Sequence, residues 1–218
     1  MRSDTPGLGG VVVAAFDVDG TLTTRDCVRP FLERVAGRRG IVGALARKPA
    51  ATLRGGARRD RDAIKEIVVG GVYRGRPVDE VDVLGHEFAG VVERSMLRPD
   101  VVARLRWHQS AGHRTLIVSA SLRSYLQPLA ASLGIDRAIC TDVMSAGGHY
   151  LDRLDGGNCR AGEKWARLSA WLDSEGLHGA ELWAYGDSRG DREMLAEAHH
   201  PVWVHGATIT GVPAETGS

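Results

Sequence analysis

The chain has 218 residues, 43% of them apolar, with 28 lysines and arginines against 27 aspartates and glutamates, for a net charge of +1. This size and balance permit one buried core, alone or with a small accessory module; they exclude a disordered chain and give no sign of a nucleic-acid or membrane partner. Cys27, Cys140 and Cys159 are dispersed and form no CxxC pair, which fits a reducing compartment and argues against a disulfide framework or a structural zinc.

Residues 1–10 read as a loose tail with no apolar leader, and no run approaches a membrane span, so a cytoplasmic protein without integral membrane association is expected. Val11–Phe16 is a short apolar run that reads as a buried strand. It stops at Asp17, and Asp19, Gly20 and Thr21 follow. Two acids and a hydroxyl at the carboxyl end of a buried strand suit a site rather than a core, because open α/β sheets bind ligands there. Leu22–Val35 contains helical spacing. From about residue 34 to 76 the chain turns basic, and glycines and Pro49 cut it into short helices. From Val78 to Arg94 it turns acidic, with Val81, Leu84, Phe88 and Val91–Val92 at helical spacing. Residues 24–95 are therefore expected to form a helical insertion, separable from a core made of 1–23 and 96–218.

Beyond Pro99 the pattern alternates. Asp100–Ser110 is helical. Thr115–Ser119 is a strand ending in hydroxyls, and Leu122–Leu133 a helix with a kink at Pro128. Ala138–Val143 is a strand, and Met144–Leu154 a hairpin turning at Gly147–Gly148. Glu163–Glu175 is a helix, Leu182–Tyr185 a strand ending at Gly186–Asp187, Arg189–Ala198 a short helix and Val202–Val204 a last strand. A small, polar tail is expected to fray after Ala207. Such alternation predicts an α/β fold with a parallel sheet and right-handed crossovers.

Four groups then stand at strand ends or helix starts: Asp17-Val18-Asp19-Gly20-Thr21, Ser119, Lys164, and Gly186-Asp187-Ser188-Arg189-Gly190-Asp191. A carboxylate such as Asp17 can attack a phosphoryl group and split one hard step into two. Carboxylate and phosphoryl oxygens repel, so a hard divalent cation, Mg²⁺, is needed between them; Asp17, Asp187 and the nearby Asp191 are its candidate ligands. Asp191 is also placed to cap the helix after it. Ser119, the backbone N–H groups next to it at Ala120, and Lys164 are candidate holders of the phosphoryl group. Asp19, two residues from the nucleophile, is placed to protonate the leaving oxygen and then to activate water.

These motifs, in this order from about Val11 to Val204, resemble the haloacid dehalogenase (HAD) superfamily, whose pattern is DxDGT, a Ser or Thr at a strand end, a Lys, then GDxxxD. Within it the chain is similar to the phosphoserine-phosphatase-like branch (subfamily IB), which inserts a helical cap between the first two motifs. The resemblance implies a Rossmann-like core, Mg²⁺, Asp17 as nucleophile and Asp19 as acid/base, with the Asp19 backbone carbonyl joining Asp17 and Asp187 on the metal. Thr21 belongs to the same motif and is carried with the substrate-binding set. The acid that would meet a substrate ammonium falls at Asp26, where phosphoserine phosphatases carry a longer glutamate; the arginine for a substrate carboxylate is left open among Arg54, Arg58, Arg59 and Arg61. The expected activity is hydrolysis of a small phosphorylated metabolite through an aspartyl-phosphate. The alternatives are a phosphotransferase using an alcohol acceptor and a regulator that binds without turnover. Without aromatic interleaving in the basic run, no nucleic-acid partner is expected. His199–His200 reads as a loop feature, and Cys159 as a packing residue rather than a reactive thiol. Nothing in the sequence sets the oligomeric state.

Overall fold

The structure, a computed structural model, describes residues 10–58, 60–206 and 209. The expected tails, before residue 10 and after Ala207, lie outside the described residues apart from position 209, as does Arg59.

The chain opens with strand β1 (Val12–Phe16) and then runs through helices α1 (Val28–Arg47), α2 (Pro49–Arg58), α3 (Arg61–Tyr73), α4 (Val78–Ser95) and α5 (Pro99–Ser110). There follow β2 (Arg114–Leu122), α6 (Arg123–Ser132), β3 (Arg137–Ala146), β4 (His149–Asp155), α7 (Gly162–Ser174) and β5 (Glu181–Gly186). A 3-10 turn (Arg189–Asp191), α8 (Arg192–Ala196) and β6 (His200–Trp203) complete it. The sheet order is β4-β3-β2-β1-β5-β6. All neighbours are parallel except the β3–β4 hairpin, which turns at Gly147–Gly148 as its sequence predicts. This is the mostly parallel Rossmann-like α/β sheet expected.

Strand alternation divides the core in two. Ala14 and Phe16 of β1 face one side with Ile117, Trp183 and Tyr185; Val13 and Ala15 face the other with Leu116, Val118, Leu182 and Ala184. The second face is closed by α7 and α8 through Leu168, Leu172, Met194 and Leu195. The first is closed by α5 and α6, and also by the helices that follow β1: Phe31 of α1, Phe88 of α4 and Tyr125 of α6 pack ring on ring at 4.9–5.4 Å. Burying rings of this size favours the folded state by roughly 2 kcal/mol each.

Helices α1, α3 and α4 thus share the core's apolar interior, while α2 buries only Gly55. Glycines let them approach. A Cβ on Gly85 of α4 would lie 2.0 Å from the Ser124 carbonyl, and one on Gly70 of α3 would lie 2.3 Å from the Asp152 carbonyl in β4. Pro128, which α6 passes through without interruption, has no N–H for that Ser124 oxygen, so the helix presents a bare carbonyl where α4 comes closest. Helix α1 is broken at Gly37, whose φ of 65° and ψ of 171° leave the helical region; a residue without Cβ tolerates this. No helix among the described residues is long and apolar enough to cross a membrane.

Candidate active site

Consecutive strands run outward from β1 through β2 and β3 on one side, and the chain then returns to place β5 on its other side. The crevice at the carboxyl ends of β1 and β5 is the switch point where such sheets bind ligands. Asp17 leaves β1 there, its N–H bonded to the Tyr185 carbonyl at 2.9 Å. The chain turns at once: Leu22 N–H returns to the Asp17 carbonyl, and Thr21 and Thr23 N–H to that of Val18. Gly20 sits at the turn with φ of 87°, and a Cβ on it would fall 2.2 Å from Asp187 Oδ2. Glycine is required at this position twice over, for the dihedral and for the space.

Lys164 stands in the first turn of α7, where the helix dipole disfavours a cation. Its partners explain it. Its Nζ lies 2.6 Å from Asp17 Oδ1 and 2.5 Å from Asp191 Oδ1, and all three side chains are at most 8% exposed. Burial works against the charged amine, but Asp17 and Asp191 overcome it and hold its pKa above the ordinary range. Burial raises the Asp17 carboxyl, with Lys164 opposing. Asp191 stands at the N-cap of α8 without a side-chain cap hydrogen bond to it, so its capping falls on the 3-10 turn before that helix instead. One oxygen meets Lys164, and the other accepts from the Ser188 N–H and hydroxyl at 2.9 Å each, closing a capping box. Ala161 N–H bonds to the Gly190 carbonyl and ties the start of α7 to this turn; Ala161 itself is held at a positive φ of 54°.

Asp187 is the unsatisfied member. Its Oδ1 is buried with no hydrogen-bond partner. Burial first, and then Asp17 and Asp191, push its pKa up to about 6. One ligand oxygen from each of Asp17, Asp187 and Asp191 can be chosen within 4.8 Å of the others. Three carboxylates against one lysine leave negative charge uncompensated. An orphaned carboxylate oxygen beside that charge fits a hard, oxygen-seeking divalent cation. Both Asp191 oxygens are already engaged, so Asp17 and Asp187 are the better placed to hold it directly.

Asp19 faces away from this cluster. Its Oδ1 accepts from Cys27 N–H at 2.7 Å, and its Oδ2 from the Ser121 hydroxyl. Burial raises its pKa to about 6, against the Ser121 hydrogen bond and with help from Asp17. Ser121 reaches Asp19 because β2 continues past its expected end and slips register between Ser119 and Leu122. Ser119 is buried, and its Oγ accepts from Ser121 N–H at 3.2 Å. Thr21 is fully buried, and its hydroxyl donates to Asp17 Oδ2 at 3.3 Å. That places it behind the carboxylate rather than toward a ligand.

Asp19, Asp26 and Ala120 open into a cavity of about 910 Å³ between α1, α2 and α3. Of the four arginines left open by the sequence, Arg61 lines it and Arg54 and Arg58 do not; Arg59 lies outside the described residues. Asp26 is exposed, and its carboxylate accepts from Val28 and Arg29 N–H at the start of α1.

Sequence reasoning missed Lys65. Its ammonium reaches from α3 to the Ala120 carbonyl and to Asn158 Oδ1 at 2.7 Å, and burial lowers its pKa to about 8. Asn158 also accepts from the Thr141 hydroxyl and donates to Asp62 Oδ1 at 2.6 Å. A sign was present: Lys65, Val69 and Val72 recur at i, i+4 and i+7, which places a lysine on the apolar stripe of α3. Cys159 is buried and its thiol pKa is raised by that burial, as a packing residue requires. His200 begins β6, stacks on Trp183 at 4.1 Å and pairs with Glu181, while His199 accepts from Leu182 N–H.

The family described as haloacid dehalogenase-like hydrolase matches residues 14–196. Protein CicA of Caulobacter vibrioides is 38% identical over 188 residues, spanning 86% of this chain and 83% of that protein. A protein of unknown function from Bordetella pertussis Tohama I superposes with a TM-score of 0.69 at 26% identity, covering 85% of this chain and 86% of that one. A phosphoserine phosphohydrolase-like protein from Francisella tularensis shares the fold at a TM-score of 0.59 and 20% identity, over 88% and 86% of the two chains. The chain belongs to the haloacid dehalogenase-like hydrolase family, with the fold of its phosphoserine-phosphatase-like members.

Proposed function

We propose that this chain is a Mg²⁺-dependent phosphatase that hydrolyses a phosphate monoester through an aspartyl-phosphate on Asp17. The observation that carries the reading is the division of labour between two acids. Asp17 is fixed by Lys164 and Thr21 beside an unpartnered Asp187 oxygen, while Asp19 is fixed separately at the mouth of the cavity.

Asp17 attacks phosphorus, and the bond to the leaving oxygen breaks. Asp19, its pKa raised by burial to about 6, gives that oxygen a proton. It then takes a proton from the water that attacks the aspartyl-phosphate, releasing phosphate and restoring Asp17. The Cys27 N–H and Ser121 hydroxyl keep the Asp19 carboxylate aimed through both steps. Lys164, Ser119 and the backbone at Ala120 hold the phosphoryl oxygens. Asp17 and Asp187, with the Asp19 carbonyl, would hold Mg²⁺, and Asp191 would support them by fixing Lys164. When bound, the ion neutralises repulsion between carboxylate and phosphoryl group. Helices α1–α4, within residues 24–95, act as the cap over this floor and contact the leaving group. Buried free thiols at Cys27, Cys140 and Cys159 support a reducing, cytoplasmic setting.

The test is release of phosphate from p-nitrophenyl phosphate with Mg²⁺. Asp17→Asn is expected to lower kcat by about 10⁴-fold or more while keeping the thermal melt of the parent. Absence of turnover by the parent on a broad panel of phosphate esters would overturn the reading.

A further inference from the structure

We infer that the alcohol half of the substrate is apolar: the chain takes phosphate monoesters of hydrocarbon-bearing alcohols, with the hydrocarbon lying between α1 and α3. This rests on the phosphatase reading above and adds to it the class of leaving group.

The cavity begins at Asp19 and Ala120, where the leaving oxygen must be when Asp19 protonates it. Whatever that oxygen carries therefore extends into the chamber. At about 910 Å³ the chamber is near the upper end of the range for ligand clefts, and exceeds what a phosphorylated amino acid fills. Its walls are aliphatic: Val28, Leu32 and Ile41 from α1, and Ile64, Val68 and Val69 from α3. Val42 also lines it while 65% exposed, so the chamber reaches the surface there.

The charges in the lining are already spoken for. Glu33 Oε1 takes Arg29 at 3.1 Å and Arg38 at 3.5 Å. Asp26 takes backbone N–H groups of α1, and Asp60 takes Ala63 N–H at the start of α3. Lys65 is held by the Ala120 carbonyl and Asn158. Among the described residues, Arg61 is the one lining cation without a hydrogen-bond or ion-pair partner, and it is exposed. A zwitterionic leaving group would bring an ammonium and a carboxylate into a chamber whose acids are engaged. The ammonium would lose water without a free acid to meet it, and the carboxylate would find only the exposed Arg61. A hydrocarbon chain needs only burial, and these walls provide it. The reaction balances as ester plus water giving the free alcohol and inorganic phosphate, with no further reactant.

The test is a series of n-alkyl phosphates from ethyl to octyl, assayed below micelle-forming concentration with the full chain and Mg²⁺, beside O-phosphoserine and p-nitrophenyl phosphate. The expected result is a kcat/KM that climbs with chain length, by up to about fourfold per methylene, mainly through KM, with O-phosphoserine the poorest substrate. Val68→Asp is expected to flatten the climb; if that variant does not fold, Val68→Thr provides the same comparison. Turnover of p-nitrophenyl phosphate with no dependence on chain length, or a preference for O-phosphoserine, would overturn the inference and leave the phosphatase reading standing. No turnover of any ester would overturn both.

Discussion

At the carboxyl ends of β1 and β5, Lys164 is clamped between two buried carboxylates at 2.6 and 2.5 Å, and nearly every polar atom has a named partner. A few residues away, between α1 and α3, the walls are aliphatic and the charged groups are tied to one another or to helix ends. The two regions share one opening at Asp19 and Ala120 but obey different rules. The floor depends on exact atoms at short range, so it tolerates few residue types. The chamber depends on volume and polarity, which many aliphatic combinations satisfy. Chemistry is therefore written in individual residues, and selectivity in the character of a surface.

Substitutions in the floor should be severe in ways that substitutions in the chamber are not. Lys164→Met carries the largest expected effect after Asp17→Asn. It leaves Asp17 and Asp191 buried without their cation, which costs about 3–5 kcal/mol in metal-free buffer, and phosphatase activity should fall by about 10²–10³-fold. Added Mg²⁺ should restore part of the melting temperature but not the activity. A variant that loses neither stability nor rate would erase the distinction between floor and chamber.

Lys65→Met acts at the boundary between floor and chamber. It removes the ammonium that links α3 to the Ala120 carbonyl and Asn158 while keeping the apolar stem. We expect a loss of about 1–3 kcal/mol in stability and a rise in KM with a smaller change in kcat, read from denaturant melts and steady-state kinetics. A fall in kcat alone would move Lys65 from the boundary into the floor.

How far the sequence revealed these regions follows from the same difference. Asp17, Asp19 and Asp187 were legible as candidates because acids just past the ends of apolar strands make no sense as core, and Asp191 because it follows Asp187 by four residues in one turn. Lys164 was legible because a lysine in the first turn of a helix asks for a partner. Ser121 was not: its role depends on the register slip in β2, which sets a hydroxyl opposite an acid 102 residues earlier in the chain. The basic run was legible as charge but not as contacts. Arg34 pairs with Glu87, Lys48 with Asp152, and Arg47 bonds the Gly71 carbonyl, each settled by how the helices fold back on the core. The chamber was invisible for the reason that makes it a chamber, since aliphatic residues at helical spacing look alike whether they line a cavity or fill one.

The effect most remote from the site lies away from both regions, under the sheet. His108 has no exposed surface; it pairs with the Tyr185 hydroxyl and with His113 at 2.8 Å each, and Arg104 is close enough to oppose its charge. Burial, then His113 and Arg104, lower its pKa from 6.5 to about 3. Between those limits the unfolded chain binds a proton that the folded chain refuses. This contribution to stability is therefore complete above pH 6.5 and is lost as pH falls. The slope is at most about 1.4 kcal/mol per pH unit for one proton. Asp19 and Asp187, raised in the folded state, act in the opposite sense, so the measurement is a difference. His108→Gln should lose less stability than the parent between pH 6.5 and 4, and equal losses would contradict the assignment.

If Asp17 forms the covalent bond to phosphorus, that bond can be trapped. The full chain with Mg²⁺ is mixed briefly with a ³²P-labelled phosphate monoester, quenched in acid, digested, and mapped by mass spectrometry. The expected result is an acid-stable, hydroxylamine-labile phosphoryl group on the peptide carrying Asp17, enriched in Asp19→Asn, where activation of water is impaired, and absent from Asp17→Asn. Label on another residue, or steady turnover with no label on Asp17 in either the parent or Asp19→Asn, would contradict it.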